Sequence, residues 1–250
     1  MDTLTSPLLF WTLLTGLLSA LATGLGALPV ALMGGLSPRG RGLASAGAAG
    51  MMLAASVFSL AQKGLEVGPL PTIAGLLLGC LFVFALENAL ESRRTSTPEG
   101  IGRKSWLLLL VMFIHSFPEG MAIGIGFATG DFGFGLVMAL AISIHNIPEG
   151  VAISLPLRAE GAGLGRCALA SILSSVPQPL AAVPALWLTS TFLTLLPWGL
   201  GFAGGAMIFV ACSELIPDAV EEAGRAWAGL GVGIGLVGMM LSSLLLETMF

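Results

Sequence analysis

The chain holds only two histidines, and each stands three residues before a Pro-Glu-Gly: HSFPEG at 115–120 and HNIPEG at 145–150. On a helix, His115 and Glu119 share one face a turn apart, and so do His145 and Glu149. Two such pairs facing each other offer two neutral imidazoles and two carboxylates, a donor set suited to a divalent transition metal. Without a cation, two carboxylates so close in a low dielectric repel, and a proton on one of them has to compensate. Pro118 and Pro148 cannot donate to the carbonyls of Ile114 and Ile144 and are expected to kink their helices. Irregular backbone of that kind near the membrane midplane is what transporters use beside a substrate. Gly120 and Gly150 permit close approach at the same level.

The elements that position these residues are membrane helices. Of 250 residues 56% are hydrophobic and 35 more are glycine, while only 10% are charged. A soluble chain this apolar could not cover its surface, whereas eight spans of about 20 residues use roughly 160 positions. The expected spans are 8–34, 42–61, 69–90, 105–129, 133–157, 166–190, 197–219 and 226–248, within one transmembrane domain over 1–250. Short breaks such as TGDFG and RAEGAGLGR separate them. The fold class is therefore an all-α polytopic membrane protein with eight transmembrane helices. Spans 4 and 5, joined by a few residues, must run antiparallel side by side, with both His-Glu pairs near the midplane. The N-terminal stretch MDTLTSPLLFWTLL lacks the basic start of a signal peptide and is read as part of a retained first span.

Basic residues set the orientation. Arg39, Arg41, Arg93, Arg94, Arg103, Lys104, Arg158, Arg166 and Arg225 fall in the loops after spans 1, 3, 5 and 7, and only Lys63 falls on the other side. The positive-inside rule puts the first set, with the loop 91–104, in the cytoplasm and both termini outside.

Other chemistries fit poorly. Ten dispersed Lys and Arg make no basic face for nucleic acid. Gly233, Gly235 and Gly238 spell a dinucleotide fingerprint but follow no strand, so they read as helix-packing positions. Cys80, Cys167 and Cys212 lie far apart in apolar surroundings and read as packing residues. No H-E-x-x-H string is present for an intramembrane metalloprotease. A Ser-His hydrolase could draw on Ser116, Ser143 or Ser154, yet it leaves both Glu-containing motifs without a role. The chain is read as no enzyme.

The paired H-x-x-P-E-G motifs in the fourth and fifth of eight spans resemble the ZIP (Zrt-, Irt-like) metal transporters, in particular the bacterial gufA-type branch. GMMLAASVFSL in span 2, PQPLAAVPAL in span 6 and GGAMIFVACSELIPDA in span 7 extend the resemblance over nearly the whole chain. The resemblance implies that His115, Glu119, His145 and Glu149 are the transport-site ligands. It also implies that Met52 lies beside that site and that Glu214 belongs to the exit route. Both termini outside is likewise what the family implies. By the orientation above, Asp218 and Glu87 fall on the same side as Glu214, Glu87 reading equally as an interfacial carboxylate that reaches water. Many members build a second metal position from an Asn after the first His, an Asp or Asn after the second, and a Glu in span 6. Here those places hold Ser116, Asn146 and Gln178. With no further carboxylate, one tightly held metal is expected.

The expected function is transport of a divalent transition metal toward the cytoplasm. Zn²⁺ is favoured chiefly by the resemblance, with Fe²⁺, Mn²⁺ and Cd²⁺ also suited by imidazole and carboxylate. The partners are that ion and the lipid bilayer; the metal is cargo, and no cofactor is called for. An inner or plasma membrane is the expected location, and a homodimer is compatible with the sequence. A membrane sensor that holds the ion without moving it remains the alternative. An elevator-like sliding of one helix group against another is what the resemblance implies for mechanism.

Overall fold

A bilayer leaves no water for backbone groups, so a chain of long apolar runs satisfies them within helices. The computed structural model describes residues 2–32, 37–92 and 102–249, and every regular element among them is helical. Eight stretches among these residues are long and apolar enough to cross a membrane. Spans 1 to 4 are Pro7–Ala31, Pro38–Val67, Pro69–Ala89 and Leu108–Ala128; spans 5 to 8 are Phe132–Ala159, Leu164–Thr191, Leu196–Ala223 and Arg225–Leu245. Most of the expected loop 91–104 lies outside the described residues.

Span boundaries differ from expectation mainly in span 2. It begins earlier than position 42, because Ser37 caps it by accepting from Gly40 N at 3.2 Å and Pro38 fits its first turn. It also runs past position 61. The polar residues Gln62, Lys63 and Glu66, which read as a loop, continue the helix to Val67. They sit at its end, where their heads reach water, and Gly68 in extended backbone stops it.

Helix breaks are present, but not at Pro118 and Pro148. The helices of spans 4 and 5, Arg103–Ala128 and Phe132–Ala159, run unbroken through Pro118 and Pro148. One missing donor does not end a helix whose neighbours enclose it. The breaks lie instead in span 1, at Gly26, and in span 6, at Ser175–Val176 just before Pro177. Spans 2 and 7 carry widened π turns at Ala55–Ala61 and Ala211–Leu215, a feature frequent at functional sites.

Spans 1, 4, 5 and 6 pack on one another, as do spans 2, 3, 7 and 8. The two groups meet where span 5 crosses span 2 and span 4 crosses span 7. The shared core includes Met52, Ile123, Met138, Ile142 and Met207. Leu70, Leu77, Leu81, Leu244 and Leu245 point outward from spans 3 and 8, as lipid-facing side chains should. Of the fingerprint glycines, Gly235 packs on the Gly47 backbone inside a helix, whereas Gly233 and Gly238 have nothing within 4 Å of an added Cβ and so are not packing positions. The three cysteines are free thiols; Cys167 is buried and Cys80 half-buried, whereas Cys212 is exposed and so is not a packing residue.

Candidate metal site

Spans 4 and 5 lie against each other, and each turns its His-Glu face toward the other. One ligand atom from each of His115, Glu119, His145 and Glu149 falls within 4.8 Å of all the others. The four side chains are between 0% and 1% exposed. A buried cluster of this composition needs internal partners for every polar atom.

Those partners are unevenly shared. Glu119 Oε1 lies 2.5 Å from His145 Nε2 and 3.2 Å from His115 Nε2. Its Oε2 accepts from Gln178 Nε2 at 2.6 Å. Glu149 has both oxygens buried without a hydrogen-bond partner, and the same holds for His115 Nδ1, His145 Nδ1, Asn146 Oδ1 and His115 Nε2, whose approach to Glu119 is an ion-pair contact only. Leaving a carboxylate unsatisfied in a dry interior costs several kcal/mol, about the price of an unpaired buried ion. A cation seated among the four groups removes that cost.

Two close approaches hold the surroundings. A Cβ on Gly120 would collide with the Gln178 backbone, and one on Gly150 would collide with Thr23 O. Glycine at these points lets span 6 press on span 4 and span 1 press on span 5. The first contact brings Gln178 to Glu119. The second brings span 1 to Asn146, whose Nδ2 donates to Ser19 O at 2.9 Å, to Ser19 Oγ at 3.0 Å and to Gln178 Oε1 at 3.2 Å. Thr23 Oγ1 and Ser175 Oγ, 2.7 Å apart, tie span 1 to the break in span 6.

The remaining expected residues divide. Gln178 and Asn146 belong to the shell of the cluster. Ser116 donates to Met112 O at 3.0 Å, within its own helix. Met52 is buried in the apolar core with Met138 and Ile142. Glu87 accepts from Ser213 Oγ at 3.3 Å, linking spans 3 and 7 away from the cluster, and Glu214 lies in the π turn beside Ser213. Asp218 lines a cavity discussed below. Ser19 was not singled out from sequence. Its signal was a polar stripe, Thr12, Thr15, Ser19 and Thr23, recurring at helical spacing in span 1 and at most 7% exposed.

Two cavities flank the cluster along span 5. One of ≈ 330 Å³ reaches down to Met138, seven residues before His145, or about 10 Å at helical rise. Buried Ile142 lies in that interval. The other, ≈ 300 Å³, starts at Ala152, one turn past Glu149, and opens past Glu160, Asp218 and Glu222. Only about 5 Å of helix separates it from Glu149. The cluster is thus closer to the second cavity, at the Arg41 end of span 2.

The family model described as ZIP Zinc transporter matches residues 87–243. The zinc transporter GufA of Myxococcus xanthus is 38% identical over 240 residues, covering 90% of this chain and 94% of its own. The zinc transporter ZIPB of Bordetella bronchiseptica is 39% identical over 248 residues, covering 92% of this chain and 79% of its own. A longer Arabidopsis thaliana relative is 39% identical over 236 residues, and the match spans only 38% of its length. The chain belongs to the ZIP family: it is a multi-pass membrane protein and a metal transporter, not an enzyme.

Proposed function

We propose that the chain carries Zn²⁺ toward the cytoplasm through a midplane site formed by His115, Glu119, His145 and Glu149. The observation that carries this reading is the unpartnered Glu149 carboxylate, buried within 4.8 Å of two imidazoles and a second carboxylate. Two nitrogens and two oxygens suit Zn²⁺, which takes imidazole and carboxylate ligands; Fe²⁺, Mn²⁺ and Cd²⁺ fit the same donors. The zinc transporters named above favour Zn²⁺ among them.

The direction follows from the charge of the loops. The cavity beside Glu149 opens at the end bearing Arg41 and Arg158, which the positive-inside rule assigns to the cytoplasm. An ion leaving Glu149 meets Asp218 there, beside Glu222, which pairs with Arg41 at 2.9 Å, and Glu160, which accepts from Ser105 Oγ at 2.6 Å; carboxylate oxygens of this kind can replace lost ligands during departure. On the opposite side Met138 and Ile142 close the path.

Flux tests the reading. Proteoliposomes with a zinc-sensitive dye inside should fill on adding Zn²⁺, and those carrying Glu119→Gln with Glu149→Gln should not. Zinc binding by the wild type without flux would favour a sensor over a transporter.

A further inference from the structure

On the cytoplasmic side every basic residue is explained by membrane orientation, but Lys63 is the one cation at the other end of the molecule. It stands inside the cavity through which, on the uptake reading above, the ion must arrive. That position is costly for a cation transporter. The wall carries three full charges: Glu66 and Asp131, which attract a metal ion, and Lys63, which repels it.

The ammonium has two neighbours that position it. Its Nζ lies 3.5 Å from Glu66 Oε2 and 5.3 Å from the centre of the Phe134 ring. The first contact is within span 2; the second crosses the cavity to span 5, where a cation is attracted to the ring face. Asp131 is fixed at the same rim, since its Oδ1 caps span 5 by accepting from Phe134 N at 3.0 Å. Lys63 thus places a positive charge beside Glu66, in the wall of a cavity that Asp131 also lines.

We infer that Lys63 is an electrostatic brake on metal capture, its ammonium repelling a divalent ion that arrives in the outer vestibule. It sets how much metal is needed for half-maximal flux and leaves the maximal rate, governed by the buried site, unchanged. Coulomb's law for one charge about 7 Å from a divalent ion in water gives an effect of about five-fold at ~0.01 M salt and about two-fold at ~0.15 M. Near 1 M it disappears.

The test is Zn²⁺ flux into wild-type, Lys63→Arg, Lys63→Met and Lys63→Glu proteoliposomes at low and high KCl, metal added on the vestibule side. Methionine keeps the apolar stem over Phe134 and removes the charge. Half-saturating Zn²⁺ should fall about five-fold in Lys63→Met at low salt and by a similar further factor in Lys63→Glu. Lys63→Arg should match the wild type, and all four should converge at high salt with one maximal rate. Equal behaviour of the Met and Glu variants, or a change in maximal rate without one in half-saturation, would show that Lys63 acts as a mechanical tie between spans 2 and 5 and would overturn the brake. This inference rests on the uptake reading. Wild-type flux that is lost in Glu119→Gln, beside unchanged Lys63 variants, would reject the brake alone; no wild-type flux would reject both.

Discussion

Gln178 Nε2 donates to Glu119 Oε2 at 2.6 Å, while the other oxygen of Glu119 faces both imidazoles. One carboxylate of the cluster is therefore fully engaged by protein groups, and the other, Glu149, by none. The site is asymmetric: Glu119 is the fixed anchor, and Glu149 is the group with most to gain from a metal.

That asymmetry separates two substitutions. Glu149→Gln should weaken Zn²⁺ binding on the order of 100-fold, the loss expected when one partner of a buried charge pair is removed. The metal-free protein should be at least as heat-stable as wild type, because an unpaired carboxylate has gone. Its thermal midpoint should no longer rise on adding Zn²⁺. Glu119→Gln should lose binding to a similar extent and also lower the metal-free midpoint, since its single amide oxygen cannot accept from both His145 and Gln178. Thermal melts with and without Zn²⁺ distinguish them; identical metal-free midpoints in the two variants would contradict the asymmetry.

Protons should compete with the metal. A protonated imidazole cannot ligate, so metal affinity falls as pH falls, and each ion bound releases protons if the histidines were charged. Zn²⁺ affinity measured from about pH 7.5 to about pH 5.5 should drop steadily. A flat profile would exclude His115 and His145 as ligands.

Gln178→Glu turns a donor on Glu119 into a third carboxylate facing it. Repulsion at that distance calls for a second cation, and the count of bound Zn²⁺ per chain should rise from one toward two at saturating metal. Equilibrium dialysis gives the count. A stoichiometry fixed at one would mean that the Gln178 position cannot contribute to a metal shell.

The backbone contacts at Gly120 and Gly150 should tolerate no side chain. Gly120→Ala and Gly150→Ala place a Cβ into the Gln178 backbone and Thr23 O, and each should cost about 1–3 kcal/mol together with transport. Gly233→Ala, where nothing lies within 4 Å, should leave both unchanged. Melting in detergent checks the ranking; equal loss at Gly233 would assign the effect to membrane insertion rather than to helix contact.

Orientation has its own check. Cysteines introduced singly at 91–104 should react with an impermeant maleimide only from the cytoplasmic side, as nine basic residues against one require. Labelling from outside intact cells would invert the direction of transport proposed above.

Much of this was legible before any coordinates. Composition and length required eight helices, and the i, i+4 spacing of His and Glu required a shared face, so the four-residue cluster followed once spans 4 and 5 were adjacent. What was not legible depends on which helix packs where. The stripe ending in Thr23 shows that span 1 has a polar face, but only the Gly150 contact shows that Ser19 meets Asn146. Pro118 and Pro148 suggested kinks, while the helix breaks fell at Gly26 and at Ser175, whose φ −99° and ψ 0° depart from the helical range. The outer end of span 2 read as a loop because a helix end that meets water carries the same residues a loop does.

The central claim is that the ion sits among His115, Glu119, His145 and Glu149. Zinc-edge X-ray absorption on the purified, Zn²⁺-loaded protein tests it most directly. The account requires one zinc per chain with only nitrogen and oxygen neighbours, imidazole scattering from two histidines, and distances of about 2.0–2.2 Å. A sulfur neighbour at about 2.3 Å, or a shell of oxygen without imidazole, would place the metal elsewhere and contradict the account.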